Sequence, residues 1–203
     1  VYKRQRRPRS RLRPFALHWP VLKKQYRSTS TNFELALRVP LLLRHPAYAH
    51  LAGTSLPQLV EAIDVLPTVL ELAGVPADAG AQGASLRPLL DDPTAAGRHS
   101  ALSQSPANVT VGSGYGEWWP HAMGYTLRTA RWRLTAWLPF DNVTATADWS
   151  HVAAWELYDH AGDEGRSPWA YENVNVAAAP EHADTVRRLA AELQERVAAA
   201  RRG

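Results

Sequence analysis

The chain has 203 residues, 45% of them hydrophobic, which suffices for one domain with a hydrophobic core or for part of a larger one. It contains no cysteine, which excludes disulfide bonds and thiolate metal sites, and it has no apolar run long enough to predict a membrane span. The net charge of +4 is unevenly distributed, because residues 1–27 carry ten Lys or Arg and no acid.

The basic segment 1–29 has three competing interpretations. Its KRQRRPRSRLR run is typical of an arm that binds nucleic acid, but no recognition helix follows. An Arg-rich, acid-poor leader is a second interpretation, although Pro8 and Pro14 would break its helix. The favoured one is a misread or wrongly joined sequence, because the residue usage changes abruptly near residue 28. In every case we expect this segment to be disordered, and the first residue, Val1, suggests a fragment.

Residues 30–98 are predicted to be the end of an α/β domain. The apolar run from Val39 to Leu43 is typical of a strand buried on both faces of a parallel sheet. A helix is predicted from about residue 65 to 73, with Asp64 as its N-cap and Gly74 ending it in the left-handed conformation. Without the neighbouring strands, the apolar run is expected to expose a sheet edge that favours association. We therefore expect a shorter chain starting near Pro76 to be more soluble.

Residues 99–203 are predicted to form a small α+β unit. Residues 76–100 indicate a surface connection with one short helical turn in LRPLLDDP. Strands are expected at 101–104, 124–129, 132–138 and 154–159, and the middle two form a hairpin because only two residues separate them. Apolar residues at helical spacing predict a helix over 181–202 that covers one face of this antiparallel four-stranded sheet.

Four phrases in this order carry a family resemblance: TNFELALRVPLLL at 31–43, AIDVLPTVLELAG at 62–74, AMGYTLRTARWRLTAW at 122–137 and AWELYDH at 154–160. Over residues 30–195 the chain resembles the C-terminal portion of the sulfatase family, and most of all its iduronate-2-sulfatase-like branch. The resemblance implies an alkaline-phosphatase-like α/β fold, of which this chain holds the last strand and helix plus the C-terminal subdomain. It also implies sulfuric ester hydrolysis on a glycosaminoglycan-type sugar, and a lysosomal or secreted location.

The catalytic part that the resemblance implies is missing from these residues. The family's nucleophile is a formylglycine made in a C/SxPSR motif, and this sequence contains no such motif. Thr29 stands at the position of the family's catalytic Lys, and Ala16 and Leu17 stand at an Asp-His pair that helps to bind calcium and sulfate. Calcium is therefore expected only in the full-length family, and these residues alone are expected to be inactive.

Several residues of the hairpin region are candidates for contact with substrate. The resemblance places the hairpin beside the active-site mouth, where a sugar carboxylate or sulfate would meet basic and aromatic groups. These candidates are His121, Tyr125, Arg128 and Arg133. The alternatives are that Arg128 forms an ion pair between subdomains and that Tyr125 is part of the core.

Other motifs have more ordinary explanations. Asn108 and Asn142 begin N-x-T glycosylation sequons. Asp159, His160 and Asp163 are expected to be turn residues rather than a metal cluster. Seven of the eight tryptophans lie between residues 118 and 169, which favours a second hypothesis: a non-catalytic module that binds sulfated polysaccharide through tryptophan faces and an arginine patch at 128–133. Neither hypothesis predicts a nucleic-acid or membrane partner.

Overall fold

The computed structural model describes residues 31–76, 80–106, 122–163 and 171–201. Its α-helices are α1 (Glu34–Leu37), α2 (Val65–Leu72), α3 (Arg87–Asp91) and α4 (Ala183–Ala200). Short 3-10 helices span Pro46–Leu51, Ala62–Asp64 and Pro180–His182. The strands are β1 (Ser100–Pro106), β2 (Ala122–Thr129), β3 (Trp132–Asp141), β4 (Thr146–Ala147) and β5 (Ala154–Asp159). None of the described helices is both long and apolar enough to cross a lipid bilayer.

Strands β1, β2, β3 and β5 lie side by side in that order in one antiparallel sheet, and the sequence predicted such a four-stranded antiparallel sheet. The β2–β3 hairpin turns at Ala130 and Arg131, and its register places Leu127 opposite Leu134. On its other side Leu134 lies opposite Leu157 of β5. The short strand β4, which the sequence did not predict, pairs with the end of β3.

Helix α4 covers one face of the sheet and completes the hydrophobic core. Leu189 and Leu193 of α4 pack against Leu127, Leu134 and Leu157, and all five side chains are fully buried. Burying each such side chain contributes about 1.5–3 kcal/mol, so this interface is a main source of stability. The predicted terminal helix is therefore confirmed.

The opposite face of the sheet is polar yet also buried. Thr126 and Thr135 are fully buried there, and their hydroxyl oxygens lie 2.7 Å apart. Arg133, Glu156 and Tyr158 extend this polar face across β3 and β5. Because buried polar groups need partners, the elements that cover this face must supply them.

Residues 39–43 differ from the prediction, because they form no strand in the structure. Val39 and Leu42 are 69% and 88% exposed. A strand needs a hydrogen-bonded neighbour, and no described strand pairs with this segment. The side chains of this run are apolar, but the described residues do not bury them.

The helix after this segment forms where expected. Gly74 adopts φ 70°, the left-handed conformation that commonly ends a helix. Asp64 occupies the N-cap position of α2, as expected, but its side chain does not cap this helix. Its carboxylate instead accepts hydrogen bonds from the backbone N–H groups of Glu61 and Ala84, each at 2.8 Å. The short helical turn expected in LRPLLDDP is α3.

Candidate functional site

The predicted site residues of the hairpin lie on two different faces of the sheet. Tyr125 lies on the face covered by α4, within the hydrophobic core. Arg128 and Arg133 are directly opposite each other across the hairpin and lie on the polar face. Thr29, Asn108 and His121 lie outside the described residues. The sheet therefore separates Tyr125 from the two arginines.

Arg128 and Arg133 belong to a group of buried ionic side chains that we call the charge cluster, which consists of Glu34, Arg128, Arg133, His160, Asp163 and Glu172. Arg133 is 2% exposed and forms charge-assisted hydrogen bonds with both Glu34 and Glu172. Its Nη1 also donates to the backbone oxygen of Asn32 at 3.1 Å. Arg128 donates from Nε to Glu34 Oε2 at 3.2 Å. Both guanidinium groups thus have carboxylate partners within this chain.

His160 joins the remaining carboxylates of the cluster. Its Nδ1 lies 3.0 Å from Asp163 Oδ2 and its Nε2 lies 3.2 Å from Glu172 Oε1. The ring of Tyr171 stacks on this imidazole at 5.8 Å between ring centroids. The cluster therefore links the 160–163 turn to Glu172, and Glu172 in turn accepts the backbone N–H of Glu34 at 2.6 Å.

The electrostatics of the cluster follow from its burial. Burial by itself would raise the pKa of Glu34, but the nearby Arg133 and Arg128 outweigh it and hold this pKa below its ordinary value. Burial lowers the pKa of Arg128, and Glu34 partly opposes that effect. Each charge depends on its partner, because an unpaired ion on this face would be strongly destabilising.

The charge cluster joins sequence phrases that lie far apart. Glu34 belongs to the TNFE phrase, whereas Arg128 and Arg133 belong to the MGYTLRT hairpin. The ion pair considered as the alternative role of Arg128 is therefore present. Sequence reasoning missed Glu172, because nothing in its surroundings distinguishes it from a solvated acid. Glu34 could have been found as the single acid in the conspicuous TNFELALRV phrase.

A close backbone approach holds the TNFE phrase against the hairpin. Asn32 Nδ2 donates to the carbonyl oxygen of Gly124 at 3.0 Å. A Cβ atom at Gly124 would lie 2.4 Å from that nitrogen and 2.7 Å from the ring of Trp137. Only glycine fits this position without displacing Asn32 or Trp137.

The cluster does not suit the calcium ion that the resemblance implies for the full-length family. One ligand atom from each of Glu34, His160 and Asp163 lies within 4.8 Å of the others. Calcium prefers oxygen ligands, and imidazole nitrogen is not among them. Arg128 already lies beside both carboxylates, so a dication would meet a guanidinium group there. We derive no metal chemistry from these residues.

A second ionic network, which we call the clamp, joins residues 61–98 to the C-terminal unit. Fully buried Asp64 forms a bidentate pair with Arg98, which also lies near Glu61. Burial alone would raise the pKa of Asp64, but Arg98 and two backbone N–H groups lower it. Glu61 Oε1 accepts from Arg196 of α4 at 2.8 Å and from the backbone N–H of Leu102 at 2.6 Å. The segment before β1 is therefore part of the same folded unit as the sheet.

Glu156 is the buried acid of the polar face without a cationic partner among the described residues. Its carboxylate accepts hydrogen bonds from Trp137 Nε1 and from the Tyr158 hydroxyl, the latter at 3.0 Å. Burial raises the pKa of Glu156 to about 7, and these two hydrogen bonds only partly offset that effect. This group therefore titrates near neutral pH.

Tyr125 lines a cleft of about 370 Å³ between the sheet and the end of α4. Its ring lies 5.7 Å from that of Trp149, and Arg201 lies at the rim. Burial raises the pKa of Tyr125, and the positive charge of Arg201 partly opposes this shift. The core role suggested for Tyr125 is confirmed by its 6% exposure.

The described tryptophans are largely engaged in packing. Trp132 is buried, and its ring meets His182 edge-on at 5.2 Å. Trp149 and Trp155 are half-buried against the core. Trp118, Trp119 and Trp169 lie outside the described residues. Of the arginines at 128–133 only Arg131 is well exposed, and it pairs with Asp159 at 2.8 Å, so they form no continuous basic surface.

The turn after β5 has the contacts expected from its sequence. The carboxylate of Asp159 accepts the backbone N–H of Ala161 at 2.8 Å, as predicted for a turn aspartate. His160 and Asp163 instead turn inward into the charge cluster. Asn142 lies in the turn between β3 and β4.

Part of this chain is similar in sequence to known sulfatases. Residues 23–108 match the family model "N-sulphoglucosamine sulphohydrolase, C-terminal". Arylsulfatase K of Danio rerio is 37% identical over 111 residues, which are 55% of this chain and 20% of that protein. The chain thus spans about a fifth of this curated relative.

Two solved structures share part of the arrangement. A 2-O GAG sulfatase matches with a TM-score of 0.46 and 22% identity, covering 68% of this chain and 24% of that one. A protein solved with its substrate D-glucosamine-2-N,6-O-disulfate matches with a TM-score of 0.43 and 25% identity, covering 65% and 22%. At these scores the structural likeness is partial, and the fold described above rests on the chain's own strands and helix. These sequence matches make part of this chain similar to the C-terminal portion of known sulfatases.

Proposed function

We propose that this chain is the C-terminal part of a sulfuric ester hydrolase whose complete form acts on a sulfated sugar, such as an iduronate-2-sulfate unit. The observation that carries the proposal is the match of residues 23–108 to the C-terminal model of a sulfatase that is named for a sulfated glucosamine. The iduronate assignment depends on the four sequence phrases alone.

The role of these residues in such an enzyme is positional rather than chemical. Glu34 and Glu172 immobilise Arg133, and Glu34 also orients Arg128 on the neighbouring strand. A guanidinium group held by fixed carboxylates loses little conformational freedom, so the hairpin is presented as a rigid surface. A rigid wall of this kind would hold a sugar in register with catalytic groups supplied by other residues.

These 203 residues do not contain the motif from which the formylglycine nucleophile is made. Formylglycine chemistry needs the cysteine or serine of a C/SxPSR motif, which is not in the sequence. We expect the 203-residue chain to show no turnover of an aryl sulfate or of a sulfated disaccharide in the presence of calcium. Turnover above that of a heat-inactivated sample would contradict this expectation.

A chimaera tests the proposal itself. Residues 31–201 of this chain would replace the segment of arylsulfatase K from Danio rerio that aligns with them, and sulfate release would be measured. We expect a folded chimaera to retain turnover above background, and a Glu34→Gln chimaera to retain less. A chimaera that folds, as shown by a cooperative melt, yet releases no sulfate would overturn the proposed function.

A further inference from the structure

The cleft beside Tyr125 lies on the opposite face of the sheet from the charge cluster. Its volume of about 370 Å³ is at the low end of the range of small-molecule sites, which suits a ligand of one ring. Its walls are apolar and include Leu102, Phe140 and Val197. No carboxylate is among its described lining residues.

Tyr125 supplies a polar group to the wall of the cleft. The residue is 6% exposed, and among the described residues its hydroxyl group has no hydrogen-bond partner. Its hydroxyl oxygen is not among the fully buried polar atoms without a partner, so it reaches the open cleft. A hydroxyl group that opens into a cleft and has no partner among the described residues is available to a ligand.

Arg201 supplies the charge at the rim of the same cleft. Its Nη2 donates to the backbone oxygen of Ala145 at 2.6 Å, and no described carboxylate pairs with it. Ala145 is held at φ 52°, a left-handed conformation that is rare for alanine. Strained backbone of this kind is found at ligand sites more often than elsewhere. The four remaining N–H groups of Arg201 can bind an oxyanion.

We propose that this cleft binds a sulfated monosaccharide without transforming it, with the ring between Phe140 and Val197, the sulfate on Arg201 and a ring hydroxyl group on Tyr125. An apolar wall combined with a few polar groups suits a sugar ring, and a guanidinium group suits a sulfate oxyanion. The choice of sulfate over carboxylate as the anion rests on the proposed function.

Binding would be measured by titrating the 203-residue chain with glucose 6-sulfate, using calorimetry and the NMR signal of the Trp149 indole N–H group. We expect saturable binding that shifts the Trp149 signal, and at least tenfold weaker binding of glucose and of inorganic sulfate. Arg201→Gln should weaken binding of glucose 6-sulfate about 10- to 100-fold, because it removes a charged hydrogen-bond donor. Tyr125→Phe should weaken it about 2- to 10-fold with an unchanged melting temperature.

The matched control is Arg187→Gln, which removes the same charge from the exposed start of α4 and should leave the affinity unchanged. No saturable binding, inorganic sulfate binding as tightly as glucose 6-sulfate, or equal effects of Arg201→Gln and Arg187→Gln would each overturn the proposal. Preference for methyl glucuronide over glucose 6-sulfate would overturn the choice of sulfate. This assay requires no turnover, so its failure is distinct from the failure of the chimaera.

Discussion

Glu34→Gln tests whether the charge cluster holds the N-terminal segment to the sheet. The change removes one charge but keeps the size of a side chain that contacts both Arg128 and Arg133. Removing one partner of a buried ion pair typically destabilises a protein by about 3–5 kcal/mol. Arg133 would keep Glu172 and the backbone oxygen of Asn32, so we expect the lower end of this range, about 3 kcal/mol. That is a large share of the roughly 5–15 kcal/mol available to a domain.

Urea denaturation at pH 7, followed by tryptophan fluorescence, measures this loss. With a slope of about 2–3 kcal/mol per M, a loss of 3 kcal/mol lowers the unfolding midpoint by about 1–1.5 M. Glu71→Gln is the matched control, because it makes the same chemical change in an exposed pair with Arg87. The reasoning would be refuted by a loss below about 1 kcal/mol, or by equal midpoints for the Glu34 and Glu71 variants.

The remaining predictions concern pH, segment 31–75 and one strained turn. Because burial raises the pKa of Glu156 from 4.5 to about 7, the folded state binds this proton more tightly, so stability falls as the pH rises from 4.5 to 7, by up to about 3 kcal/mol. Glu156→Gln should flatten that slope between pH 5 and pH 8, and an unchanged slope would exclude Glu156 as its source. A chain starting at Pro76 would lose Glu34, the partner of Arg133, as well as the Asp64 end of the clamp. Because these contacts are lost, this shorter chain should melt without cooperativity, and a sharp calorimetric transition would show that residues 31–75 are dispensable. Ala145→Gly should raise the free energy of unfolding by about 0.5–1 kcal/mol by relieving φ 52°, and a decrease in urea denaturation would contradict this.

The sequence determined the elements of the C-terminal unit well, because its signals there are local. Alternating residues on either side of Ala130 and Arg131 predicted the hairpin, and helical spacing of Leu189 and Leu193 predicted α4. The apolar run 39–43 was misassigned as a strand, since a strand depends on partners that a local pattern cannot supply.

The partners of the charged side chains were decided only by tertiary structure. Glu34 and Arg133 are 99 residues apart in sequence, and Glu172 lies a further 39 beyond Arg133. The sequence predicts that Arg133 lies on a strand. It does not show whether the face of the sheet that carries Arg133 meets solvent, substrate or buried carboxylates. The surroundings of Tyr125 were also decided by tertiary structure. The cleft that this residue lines forms only where the end of α4, with Arg201, packs beside the sheet. Residue type and spacing fix local conformation, whereas burial and pairing arise only when distant segments pack together.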